Sequence, residues 1–156
     1  MEKKREVEVE QFWRDKEQEL GEPILLKSIS HTFQSGSPDT FGILFASPSF
    51  LVFEHSKGAR RSILEVLFSR REDKLSEQLK IPRGSIRLAA LASSYAARRW
   101  VARSLDPAEV LSRLAGRRPS LLLNLLSGTS LCVCTDSQYI VLDTPTNRQW
   151  LALLRT

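Results

Sequence analysis

Cys132 and Cys134 are the two cysteines of this chain, and His31 and His55 are its two histidines. Thiolate and imidazole are zinc ligands, so the four could in principle compose a tetrahedral site. Cysteines two apart on a strand also project to one face. Against this, Cys-x-Cys is not the Cys-x₂₋₄-Cys spacing of structural zinc sites, and each histidine lies in a run that serves equally as plain strand or loop. Half-buried reduced thiols acting as small apolar side chains are expected instead, since a disulfide at this spacing would close a very tight ring. Nucleophilic catalysis needs a base facing a nucleophile, and Ser30-His31 and His55-Ser56 are neighbours in sequence alone. Glu72-Asp73 falls in the most polar stretch, where solvation keeps carboxylate acidity ordinary. The seven glycines are dispersed, with no phosphate-gripping glycine pattern. These residues point away from an enzyme, and no metal or cofactor is expected.

Arginine is the other residue type with chemistry to offer. Residues 1–22 hold five basic and eight acidic side chains, a net of −3, whereas residues 23–156 hold 18 and 10, a net of +8. Fourteen of those 18 are arginines, including the pairs Arg60-Arg61, Arg70-Arg71, Arg98-Arg99 and Arg117-Arg118. A guanidinium fork suits carboxylates and phosphates, which permits nucleic acid, anionic lipid or an acidic protein as partner. Arg98, Arg99, Arg103, Arg117 and Arg118 form the candidate surface for an anionic partner, with Arg113 and Trp100 nearby in sequence. Were nucleic acid the partner, binding would weaken steeply with salt. The plainer alternative is that Trp100 belongs to the core and the arginines fan into water.

The elements that must position these groups follow from length and pattern. A chain of 156 residues is one domain's worth, and a globule of this size removes roughly 68–70% of its unfolded surface from water, so it needs no staples. With 42% hydrophobic and 26% charged residues it is neither collagenous, nor disulfide-dense, nor intrinsically disordered. The longest apolar run, Leu121 to Leu126, is broken by Asn124 and falls short of the ~20 residues of a membrane helix. No apolar stretch follows the charged residues 1–6, so neither a secretory signal nor an export anchor is expected, and the cytoplasm is the expected compartment.

Val9, Phe12, Trp13 and Leu20 share one stripe of an amphipathic helix over residues 7–20, stopped by Gly21 and Pro23. Its two aromatics should pack on the body. Short β-rich runs follow: residues 24–33, then 41–47 and 50–55 as a hairpin hinged at Pro48, and 62–68 as another strand. Residues 70–78 are expected as loop or one helical turn, with Leu79-Lys80-Ile81 extended into Pro82. Residues 86–105 satisfy both helix propensity and strand alternation, and are divided into a strand over 86–92 and a helix over 95–105. Asp106, Pro107 and Glu109 read as an N-cap, a first-turn proline and a capping box, with Gly116 ending that helix. Residues 120–126 and 129–135 suggest a hairpin around Ser127-Gly128. A strand over 139–142 leads to a terminal helix capped by Thr144, with Pro145 in its first turn and Trp150 facing inward. Residues 45–54 and 133–143 echo one another as two hairpins of like pattern.

The run Gly42-Ile43-Leu44-Phe45-Ala46-Ser47-Pro48-Ser49-Phe50-Leu51-Val52-Phe53, followed by Lys80-Ile81-Pro82-Arg83-Gly84-Ser85-Ile86, resembles the core signature of GRAM domains. These belong to the pleckstrin-homology superfold. The likeness in order of elements runs from Ile24 to Thr156, and in motif over about 20 residues. It implies an α+β fold: a bent antiparallel β-sandwich or partly open barrel with a C-terminal capping helix. To this the chain adds the N-terminal helix (1–22) and, within the domain of residues 23–156, a helical insertion at about 95–118. A phosphoinositide site of that superfold needs basic side chains on the first two strands and their loop. Here residues 34–40 contain no Lys or Arg but do contain Asp39, and Lys27 alone lies on the preceding strand, so no ligand residue carries over. The implied role is a non-enzymatic binding or scaffolding module, acting through protein contacts or an anionic membrane surface. The alternative is a small basic nucleic-acid binder using the insertion.

Overall fold

Strands expose alternate side chains to opposite faces, so a sheet with apolar residues on both faces must be roofed on both. A computed structural model of the chain, which describes residues 2–35, 39–56, 76–116 and 128–155, meets this demand. Helix α1 (Glu2–Leu20) precedes strands β1 (Leu26–Phe33), β2 (Thr40–Ala46), β3 (Phe50–Ser56) and β4 (Ser76–Pro82). A 3₁₀ turn, Arg83–Ser85, leads into β5 (Leu88–Ser93), helices α2 (Ser94–Ala102) and α3 (Pro107–Ala115), β6 (Thr129–Cys134), β7 (Tyr139–Asp143) and helix α4 (Asn147–Leu154). The strands form one antiparallel seven-stranded sheet in the order β4-β3-β2-β1-β7-β6-β5. Its ends are β4 and β5, so among the described residues it is not closed into a barrel.

The inner face carries Leu44, Leu51, Phe53, Ile81, Leu131, Val133, Ile140 and Leu142, gathered around Trp150 of α4. Trp150 is fully buried, and its indole N–H donates to the Ser28 hydroxyl at 2.9 Å, which removes the cost of an unpaired buried donor. The outer face is covered in two parts. Over β2 and β3, Ile43, Phe45 and Val52 meet Phe12, Trp13 and Leu20 of α1. Over β5, β6 and β7, Ala92, Cys132, Cys134, Tyr139 and Val141 meet Ala97 and Trp100 of α2 and Val110 and Leu114 of α3. This two-sided burial explains why residues 43–46 are apolar without interruption.

The helices start and stop where local chemistry dictates. Gly21, at φ +71°, ends α1 with its N–H on the Glu17 carbonyl. Ser93 caps α2 through the Ala96 N–H. Asp106 caps α3 through the Ala108 N–H, with Pro107 in the first turn. Glu109 does not complete a capping box and instead accepts from Arg113 one turn on. The last helix starts later than expected, at Asn147. Thr144 is spent on a turn in which its N–H and hydroxyl both donate to the Asn147 side-chain oxygen. Residues 76–78 belong to β4, because their backbone pairs with residues 54–56 of β3. Strand β6 takes β5 and β7 as neighbours. Its expected hairpin partner, 120–126, lies outside the described residues, as do the expected strand 62–68 and residues 70–75.

One half-buried ion pair and one carboxylate fasten α1. Lys16 reaches Glu54 of β3 at 2.7 Å and Glu19 at 3.1 Å. Burial works against its charge, but the two carboxylates outweigh it and raise its pKa. In the link to β1, Glu22 accepts from the backbone N–H and hydroxyl of Ser49 in the β2–β3 turn. Hydrogen bonds from Ser47 and Ser49 hold its carboxyl below the usual range.

Gly42 packs against β3 so closely that a Cβ there would drive into the Glu54 carbonyl. Gly42→Ala should therefore lower stability by about 1–3 kcal/mol in urea unfolding, and an unchanged midpoint would contradict this packing. The depressed Glu22 pKa means that its contribution is present above the ordinary value of 4.5 and lost as pH falls through the lower folded value. Glu22→Gln should flatten the acid side of the stability profile in that range and leave the neutral region's slope unchanged. An identical profile for both proteins would refute the tie to Ser49.

Candidate functional site

Of the five arginines expected to form one anionic-partner surface, the structure separates Arg98 from its neighbours. Arg98 sits in α2 above the seam between β1 and β7. Its guanidinium lies 4.4 Å from the centre of the Phe33 ring, and one nitrogen is 3.3 Å from an Asp143 carboxylate oxygen. The other Asp143 oxygen accepts from the Ser130 hydroxyl, which is also 2.8 Å from that of Ser94. Arg98 is thus committed to holding strands together. Arg117 and Arg118 lie outside the described residues.

Arg99 and Arg103 do come together. They follow Tyr95 at four-residue steps, Arg99 within α2 and Arg103 at its C-cap, which places all three on one stripe with about 6 Å of rise per step. With Arg113 of α3 they line a cleft of about 300 Å³, whose wall also includes Ser93, Ala96, Trp100 and Leu105. Tyr95 is 62% exposed, whereas Trp100 is buried at 4%, so Trp100 is core and Tyr95 is the ring that faces solvent. The angle between the two helices is set by the stop of α2. Ser104 has φ +50°, with its N–H on the Val101 carbonyl and the Leu105 N–H on the Trp100 carbonyl. That left-handed residue turns the chain sharply into the Asp106 cap.

Arg113 shares its charge with Glu109 at 2.6 Å, and Arg87 is paired with Asp136 at 2.7 Å. Each of the latter pair favours the other's charged form, raising Arg87 and lowering Asp136. Arg99 and Arg103 have no ion pair among the described residues, and the described lining of the cleft contains no carboxylate. Sequence reasoning missed Tyr95, whose signal was its spacing ahead of Arg99. It also missed Arg83, which donates to the Leu153 carbonyl at 2.6 Å and to the Ser47 carbonyl at 3.2 Å.

The four soft ligands do not form a metal centre. Cys132 and Cys134 lie beneath α2 and α3 in the outer-face core, fully buried rather than half-buried. His31 packs edge-on to Phe33 and Phe41, and His55 lies 3.4 Å from Glu77. No group of three or more metal-binding side chains is assembled among the described residues. Among them, too, no helix is long and apolar enough to cross a membrane. Lys27, the lone basic residue of β1 before the first loop, lies 4.7 Å over the Trp13 ring and so helps to seat α1.

No family model matches the chain, and no curated protein matches it. Among solved structures it is similar to the C-terminal domain of an unknown protein from Leishmania infantum, at 15% identity over 94% of each chain and a TM-score of 0.48.

Burial pushes the Cys134 thiol up to about 11. Native protein should therefore resist a thiol-alkylating reagent at neutral pH, with both cysteines reacting only once denaturant opens the fold. Since the unfolded thiol titrates near 9, this burial should also cost stability as pH rises from 9 towards 11. Rapid alkylation of the native chain would overturn the assignment of these thiols to the core.

Proposed function

We propose that this chain is a non-enzymatic binding module on a pleckstrin-homology or GRAM-like scaffold, working in the cytoplasm through contacts with an anionic partner. The order β4-β3-β2-β1-β7-β6-β5, with a helix following β7, supports the scaffold assignment. So does the inner core, which draws Ile81 from one edge strand and Leu91 from the other into a single cluster around Trp150. A sheet whose edges share one core is curled, and α4 fills its opening. The helical insertion between β5 and β6 then supplies a face of its own, on the outer side of the sheet.

The observation that carries the reading is the pair Arg99 and Arg103, which have no ion pair among the described residues and stand on α2 and at its C-cap beside an exposed tyrosine. Groups carried on a helix and its cap have less backbone freedom to lose on binding than groups on loops. The partner classes are an acidic protein surface or an anionic membrane. Nucleic acid is less well served, since Arg98, Arg113 and Arg87 are already neutralised by carboxylates.

The test is a titration of the purified chain against phosphatidylserine vesicles, single-stranded RNA, duplex DNA and an acidic protein segment, at about 50 and 200 mM salt. Binding to vesicles or the acidic segment that falls about tenfold in Arg99→Ala/Arg103→Ala is the expected result. Tight nucleic-acid binding that drops by roughly 10³-fold between the two salts would replace this reading with the polyanion one. Substrate turnover by the purified chain would end it altogether.

A further inference from the structure

The α2–α3 cleft differs from the flat basic patch that a membrane or a duplex would meet. It is concave, walled by Trp100, Leu105 and Ala96, and rimmed by Tyr95, Arg99, Arg103 and Arg113. A volume of about 300 Å³ is at the small end for ligand sites and admits one or two side chains. We propose that this cleft docks a short extended acidic peptide segment of a protein partner, with carboxylates on Arg99 and Arg103 and an apolar side chain of the same strand face, two residues beyond them, against Tyr95. The inference rests on the anionic-partner reading above and gives that partner its chemistry.

Three observations favour such an occupant. The first is spacing: Arg99 and Arg103 are one helical step of about 6 Å apart along the axis. Alternate side chains of an extended peptide repeat at roughly 6.6 Å, so two acidic residues separated by one can each meet a guanidinium fork. The second is charge. The described lining holds three arginines and no carboxylate, and Glu109 offsets Arg113 alone, which leaves a net attraction for two negative groups and no more. Among the described residues of α2 a polyanion gains nothing from Arg98, which is turned to Asp143 and Phe33. The third is the apolar wall. A small inorganic anion would leave it uncovered, whereas an apolar side chain on the same strand face as the two carboxylates covers Tyr95 and part of the wall.

The probe is a short synthetic peptide whose alternate residues are Leu, Glu and Glu with Ser between them, compared with the same peptide carrying Lys for Glu, by calorimetric or fluorescence titration of the full chain. The acidic peptide should bind and the basic one should not. Arg99→Ala/Arg103→Ala should weaken binding at least about tenfold, and Tyr95→Ala should weaken it severalfold without changing its salt dependence. Thermal unfolding of each variant should match the parent, since these side chains are exposed or half-exposed. No binding of the acidic peptide, or binding that survives Arg99→Ala/Arg103→Ala, would overturn the inference. If the peptide fails while phosphatidylserine vesicles bind in an Arg99- and Arg103-dependent way, the peptide cleft falls and the anionic-partner reading stands.

Discussion

Three residue pairs between β1 and β7, namely His31 with Asp143, Thr32 with Leu142 and Phe33 with Val141, hold the two halves of the sheet in one ladder. By contrast, β1 pairs with β2 along seven residues. Joining the first strand to the last is a contact of high sequence separation, and so carries a large loop-closure cost. The two cores that span both halves of the sheet depend on that join. The inner core needs both halves to surround Trp150, and the outer core places Phe33 of β1 among side chains of β6, β7, α2 and α3. Arg98 reinforces the seam from above by stacking on Phe33 and pairing with Asp143. The charge is about half-exposed, so the ion pair itself adds little. Its value is geometric, because one planar group touches both strands.

That use of Arg98 also shapes the candidate site. Two adjacent arginines on a helix point about 100° apart, so Arg98 and Arg99 cannot serve the same surface. The structure sends one to the sheet and the other to the cleft. Arg103 and Tyr95 follow Arg99 because they share its helical row. The left-handed Ser104 then lets α3 return at an angle that leaves a gap between the helices. A longer or straighter α2 would have closed the gap or carried Arg103 away from Arg113.

How legible this was in the sequence depended on whether the signal was local. The Pro48 hairpin, the Gly21 stop and the Asp106-Pro107 start are short-range devices with strong residue preferences, and each lies where its residues place it. The division of residues 86–105 into strand and helix also falls near residue 93, although α2 stops at Ala102, short of the expected 105. What failed depended on partners distant in the chain. Residues 76–78 are polar and look like loop, yet become strand because β3 offers them a ladder. Thr144 looks like a cap and is drawn into a turn by Asn147. Arg98 carried the charge of a surface residue, and no local feature announced that Phe33 and Asp143 would lie beneath it. The cleft was legible as a basic stretch, but not as a choice of Arg99 and Arg103 over Arg98.

The β2–β3 turn has a role beyond reversing the chain. Ser49 receives the Glu22 carboxylate that follows α1, while Arg83 bridges the carbonyls of Ser47 and Pro48 to that of Leu153 near the end of α4. The helices roofing opposite faces of the sheet are therefore latched to the same three residues. Fraying of this corner would loosen both covers together, so amides beneath α1 and α4 should open as one cooperative unit rather than as independent flaps.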